Sequence, residues 1–284
     1  MFSRPWLAPA LVVLAAIPGA ALVAQPRGSM LDRIGTYVER YYERAERLLA
    51  VETVTLQPLA RDLLADGFAR RLVYELRVEW DPDAPEGEPP ATVVRDLVSV
   101  NGRPPRPGDE PRCHDPHPVS PEPLAALLPD RRGEYVFTAP RAGTVDGRAA
   151  MIVDYRPVRA EPPRVEWRDE CATIELPGRT SGRVWADPET AEILRFDERL
   201  LGMVDIAVPF AQQRRGAARF MTIERADMSI RYEPIAFTDP DETLRLPERV
   251  DTLVVIRDSG TPRMRITQTF ANYRRFVTES RIVR

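Results

Sequence analysis

The chain has 284 residues, 43% of them apolar, and a formal net charge of −3. That length suits one large domain or two small ones, and the near-balance of acids and bases leaves no basic face for nucleic acid. All 40 Lys and Arg positions are arginine, so pyridoxal chemistry, phosphate-loop nucleotide chemistry and a lysine general base are excluded.

The N-terminal stretch MFSRPWLAPALVVLAAIPGAALVAQ places Arg4 before a short apolar core at 10–17. Pro18-Gly19 breaks that core, and Ala21 or Ala24 supplies the small residue before a cleavage point. This pattern predicts a signal peptide over residues 1–24 and a periplasmic or secreted protein, with an uncleaved anchor as the alternative. The apolar core is too short and too interrupted for a stable membrane span. Residues 25–284 then read as a single β-rich domain.

A helix is expected next. Ser29 can cap it, with Asp32 three residues on. Leu31, Ile34, Val38, Tyr41, Ala45 and Leu48 recur at three- and four-residue spacing and form one apolar stripe. From Val51 the period changes to two. Over 71–80, Leu72, Tyr74, Leu76, Val78 and Trp80 alternate with mostly charged residues. This predicts a strand of an antiparallel sheet with one greasy face. Residues 92–100 predict another strand, ending in the tight-turn signal Asn101-Gly102.

Residues 101–133 are dense in Pro, Arg, Gly and Asp, and read as a long surface excursion with one helical turn at 124–128. Strands are expected again at 134–139, 149–156, 164–167, 172–176, 183–186, 192–199, 219–232, 249–257 and 264–276. The gaps are mostly too short for crossover helices, so neighbours should pair antiparallel. Asp187-Pro188-Glu189-Thr190 has type I turn chemistry and reads as a hairpin turn. The apolar run LLGMVDIAVPF at 200–210 is either a buried connection or a lid, with Leu201, Met203, Ile206 and Phe210 as its candidate residues.

Chemical motifs are sparse. Cys113 and Cys171, the two cysteines of an exported chain, are expected to form a disulfide. His114 and His117 are the only histidines, and they lack metal-ligand spacing. Asp258-Ser259-Gly260-Thr261 has an aspartic-protease form, but no second copy exists to share a proton. The acidic stretch DPDAPEGEPP at 81–90 carries too much proline for a calcium loop. No cofactor, metal site or catalytic set is expected.

The segments around GRVWADPET and ANYRRF resemble a group of exported bacterial proteins of unknown function. These share a G-R-V-W-x-D-P-x-T hairpin and a closing Y-x-x-F/R-R-F segment. The matching residues are Gly182, Arg183, Val184, Trp185, Asp187, Pro188, Thr190, Tyr273, Arg275 and Phe276. The order of elements is similar to that of the periplasmic lipoprotein carriers and sigma-factor regulators of half-barrel fold. That resemblance implies a curved sheet, half-barrel or open barrel, wrapped on the N-terminal helix. With the greasy residues of helix and strands turned into that hollow, the expected function is a non-enzymatic carrier or binding module for lipid or another apolar ligand, lined by Val38, Tyr41, Leu72, Tyr74, Leu76, Val78 and Trp80. The alternative is a structural or regulatory envelope protein with a self-filled core that binds another protein.

Overall fold

The structure is a computed structural model. It describes residues 29–45, 47–80, 91–109, 122–168, 171–213, 219–238, 240–257 and 263–275. Among the described residues one α-helix, α1 (Met30–Arg44), precedes fourteen strands. They are β1 (Arg47–Leu59), β2 (Arg70–Trp80), β3 (Ala91–Val100), β4 (Tyr135–Phe137), β5 (Arg141–Val145), β6 (Arg148–Pro157) and β7 (Arg164–Arg168). There follow β8 (Cys171–Glu175), β9 (Thr180–Ala186), β10 (Ile193–Leu200), β11 (Val204–Ala207), β12 (Phe220–Thr238), β13 (Asp241–Arg257) and β14 (Arg263–Arg275).

The helix starts where the sequence places its cap. Ser29 Oγ accepts a hydrogen bond from the Asp32 amide at 3.2 Å, and the Asp32 carboxylate accepts one from the Ser29 amide at 3.0 Å. This reciprocal pair satisfies two of the amides that the first turn leaves unpaired. The helix ends at Arg44, so Leu48 belongs to β1 and not to the helical stripe as expected. The period had already changed to two there: β1 buries Leu48, Ala50, Glu52, Val54 and Leu56 on one side.

Twelve strands form one antiparallel sheet in the order β3-β2-β1-β14-β13-β12-β10-β9-β6-β4, with β11 beside β12 and β5 beside β6. β3 and β4 are not paired with each other, so the sheet is open. It is also strongly curved. One apolar cluster joins α1 residues Ile34, Val38 and Tyr41 to Leu76, Val153, Val184, Phe196, Ile230, Leu246 and Phe270, which span the sheet from β2 to β6. A flat sheet ten strands wide would not bring both flanks to one helix.

β12 and β13 stay paired as far as Thr238 and Asp241, well beyond the strands expected at 219–232 and 249–257. Proline hid this extension. Pro234 and Pro247 lie beyond the stretches where β10 and β14 pair, so each is paired on one side only. A missing amide is tolerated there because the second side makes no ladder.

The Pro-rich excursion also departs from expectation. Its described end, two 3-10 helices at Glu122–Leu127 and Pro129–Glu134, turns into the hollow instead of staying on the surface. Leu124 and Leu127 are fully buried against α1. Gly35 makes this approach possible, because a Cβ there would lie 2.5 Å from Arg132 Nη2 and 3.2 Å from the Leu127 carbonyl oxygen.

Candidate functional site

The concave face divides into two halves. At one end lies α1. Its N-terminus is held by Arg33, which donates to the Pro188 carbonyl at 3.1 Å and to the Glu189 carbonyl, and by Arg132, which donates to the Leu31 carbonyl at 2.7 Å. The sheet beneath it contributes Leu76 and Val78, both buried. The remaining space is a void of about 20 Å³ bordered by Tyr41, Leu48, Leu76, Val78, Phe270 and Tyr273. That is room for one water molecule.

At the other end, β7 and β8 form a separate two-stranded sheet with no ladder to the main one. Val165, Trp167, Ala172 and Ile174 alternate with exposed residues and pack on Val204, Ile206, Met221 and Ile223 of β11 and β12. The four covering side chains are only half-buried, while the four beneath are buried. An apolar floor is therefore roofed by a hairpin whose contact with it is made by side chains.

Among the described residues two carboxylates, Glu52 and Glu198, interrupt the greasy face. Glu52 is completely buried between the cluster under α1 and a second cluster containing Val54, Leu72 and Tyr74. Its carboxylate accepts from Arg95 Nε at 2.6 Å and from Gln268 Nε2 at 2.7 Å. Such a pair compensates desolvation only if both charges remain in place. Glu198 follows Phe196 on the inward side of β10 and accepts from Thr180 at 2.8 Å and Tyr155 at 3.1 Å. Burial raises its pKa, and those two hydrogen bonds offset part of the rise. Burial also lifts the Tyr155 phenol well above its usual value. Glu198 and Tyr155 thus form a polar spot whose charged forms burial disfavours, with no cation in ion-pair reach among the described residues.

The residues singled out from sequence fall as follows. Val38, Tyr41, Leu76 and Val78 come together in the helix half, whereas Leu72 and Tyr74 lie in the second cluster beyond Glu52. The Trp80 side chain is outside the described residues. The stretch 200–210 is divided: Ile206 is part of the roofed floor, whereas Leu201, Met203 and Phe210 are exposed. Cys171 opens β8, and Cys113 lies outside the described residues, as do His114, His117, the 81–90 stretch and Asp258-Ser259-Gly260-Thr261. Among the described residues no cluster of His, Cys, Asp and Glu has the geometry of a metal site. Sequence reading passed over Glu52, although an acid within the inward alternation of Leu48, Ala50, Val54 and Leu56 was a visible signal. The β7–β8 roof left no comparable mark, because its two strands read like any others.

The GRVWADPET segment is accounted for by packing. Gly182 is opposite Tyr155, and a Cβ there would lie 2.1 Å from the tyrosine ring. Val184 is fully buried beneath the helix. Trp185 packs on the convex side, with the Arg195 and Arg183 guanidinium groups 5.0 and 5.7 Å from its ring centre. Asp187 Oδ1 accepts from the Glu189 and Thr190 amides at 2.9 and 3.1 Å, closing the turn. The loop also anchors α1 through Arg33, so its work is structural.

No family model matches the chain, and no curated protein matches it. Among solved structures it is similar to a DUF1329 family protein from Desulfovibrio piger, at 10% identity and TM-score 0.41, covering 89% of this chain and 96% of that one. It is also similar to an outer membrane lipoprotein-sorting protein domain from Vibrio parahaemolyticus, at 12% identity and TM-score 0.38 (87% and 92% covered). A third is a LolA superfamily protein from Nitrosomonas europaea, at 8% identity and TM-score 0.34 (87% and 94% covered). At such low identities and scores, function has to be read from the residues of this chain.

Proposed function

We propose that this is an exported, non-enzymatic binding module. Residues 25–284 would form one domain, and the apolar ligand, a lipid or similar molecule, would be held in the hairpin half of the hollow. The observation that carries this reading is the roof. Half-buried Val165, Trp167, Ala172 and Ile174 cover a buried apolar floor without a hydrogen-bonded ladder. A ligand that replaces those side chains keeps the floor dry, at roughly 25 cal/mol per Å² of apolar surface removed from water. In this closed form the hairpin occupies the ligand's place. The second cluster, with Leu72 and Tyr74, and beyond it the helix half, with Val38, Tyr41, Leu76 and Val78, would extend the site for a longer chain; Trp80 is proposed to line it as well. A Cys113–Cys171 disulfide would tether the hairpin tip to the Pro-rich excursion.

A fluorescent fatty acid tests this. The wild-type protein should bind it saturably, and Trp167→Ser should bind it several-fold more tightly, because weakening the roof lowers the cost of opening. Native mass spectrometry of protein taken from the cell envelope should show copurified lipid. Absence of saturable binding by both proteins, together with a clean apo mass, would overturn the reading. The second reading would then stand: a self-filled envelope protein that binds another protein. It is favoured by the void under α1, which holds no more than one water.

A further inference from the structure

The strand pairing sorts the exposed apolar side chains by position. Among the described residues, Leu64, Phe68, Leu201, Met203, Phe210 and Phe220 are exposed large hydrophobic residues. All six project from one end of the sheet. Leu64 and Phe68 lie in the β1–β2 connection, Leu201 and Met203 between β10 and β11, and Phe210 and Phe220 at the far end of β11 and the start of β12. The remaining exposed ones, Val94, Val98, Val136 and Val158, belong to the two flanks of the sheet. The helix end shows no such group among the described residues. Phe210 is 89% exposed and Met203 66%. Leaving them in water is unfavourable unless something covers them.

Along the stretch of chain that carries Phe210 and Phe220 the charge is one-sided, whereas Leu64 and Phe68 are flanked by the exposed acids Asp62 and Asp66. Between Asp205 and Glu224 the sequence contains three arginines and no acid, in a chain whose net charge is −3. Arg219, the described one of the three, is exposed and carries no ion pair among the described residues. The flanking acids are engaged: Asp205 accepts from Thr222 at 2.6 Å, and Glu224 is 3.5 Å from Arg257. Exposed Phe and Met beside uncompensated Arg match the interface of an anionic bilayer, where aromatic rings enter the headgroup region and guanidinium groups meet phosphate.

We infer that the end of the half-barrel bearing Leu201, Met203, Phe210, Arg219 and Phe220 docks on a membrane surface containing anionic lipid. The contact is peripheral: no described helix is long and apolar enough to cross a membrane. The surface adjoins the β7–β8 roof, because Val204 and Ile206 of the roofed floor lie between Met203 and Phe210 in the chain. Docking goes beyond the ligand proposal and does not depend on it.

Vesicle binding tests the inference, with the exported protein and vesicles of phosphatidylcholine alone or with about one third phosphatidylglycerol. The wild type should bind the anionic vesicles and bind more weakly as salt rises. Phe210→Ser with Phe220→Ser should weaken binding roughly tenfold or more. Arg219→Glu should weaken it several-fold on anionic vesicles and far less on neutral ones. Phe210→Trp should show a blue-shifted emission increment on vesicles relative to wild type, a readout local to the surface. These positions are exposed, so circular dichroism should confirm unchanged folding. Equal vesicle binding by the wild type and the double Phe variant, or no binding by the wild type, would overturn the inference. So would a concentration-dependent dimer abolished by Phe210→Ser in the absence of vesicle binding, which would assign the surface to a second copy. Fatty-acid binding in solution should be the same for wild type and Arg219→Glu, so the two proposals fail separately.

Discussion

Around α1, Ile34, Val38, Leu127, Ile193 and Phe196 are completely buried and packed by residues from eight strands. Under the β7–β8 hairpin, Val204, Ile206, Met221 and Ile223 are nearly as well buried, but the side chains that cover them are not. The same curved sheet is therefore closed in two ways. A capped helix, pinned at its start by Arg33 and Arg132, is part of the cooperative core. A two-stranded ribbon that meets the sheet by side chains opens at lower free energy, because an isolated hairpin is marginal in water. The difference shows how one apolar face can be sealed into the core at one end and only lightly covered at the other.

The contrast is sharpened first by Phe196→Ala. It removes the largest fully buried side chain, one that also meets the Tyr155 ring at 6.0 Å. Denaturant unfolding should show a loss of about 3–5 kcal/mol. Next, Glu52→Ala removes the carboxylate to which Arg95 and Gln268 both donate. A loss of about 3 kcal/mol is expected, whereas Glu52→Leu paired with Arg95→Leu should recover much of it. A third measurement reads the hairpin directly. Trp167→Ala should cost about 1 kcal/mol or less, and β7–β8 amides should exchange with solvent orders of magnitude faster than those of α1 and β13. Matching exchange rates would erase the distinction between the halves.

The smallest effect is one of pH. Glu198 has a pKa raised by burial, so its charged form is the one the fold disfavours. Below the unfolded carboxylate range the residue is protonated in both states and costs nothing. The cost appears as pH rises through that range and is complete above the folded pKa. Glu198→Gln should leave acid stability unchanged and raise stability slightly at neutral pH. Asp109 behaves oppositely. A hydrogen bond from the Arg103 guanidinium lowers its pKa to about 2, so its contribution is present above 3.8 and is lost as pH falls toward 2. Asp109→Asn should therefore flatten the acid limb of the stability curve.

Much of the fold was legible in local pattern. The Ser29–Asp32 cap, the stripe of Ile34, Val38 and Tyr41, and the alternation of Leu72 to Val78 each follow from the period of one element. The Asp187-Pro188 turn is likewise a matter of nearby residues. Where sequence reading failed, the deciding contact was distant. Pro234 and Pro247 argue against a strand until it is known that the neighbouring strands stop short of them. Leu124 and Leu127 look like one apolar turn in a surface loop until Gly35 is placed against them. The candidate site was less legible still, for Ile206 and Phe210 share one apolar run yet have opposite fates.

By itself the sequence determined the capped helix, the two-residue period of the strands, the antiparallel sense of their pairing and the absence of lysine chemistry, since these depend on residue types or on residues close along the chain. Only the tertiary structure decided that Glu52 is buried against Arg95 and Gln268, that β7–β8 roofs one half of the hollow, and that the exposed Phe and Met side chains gather at one end. Those outcomes depend on how the sheet curves and pairs, which brings together residues separated by as many as 231 positions.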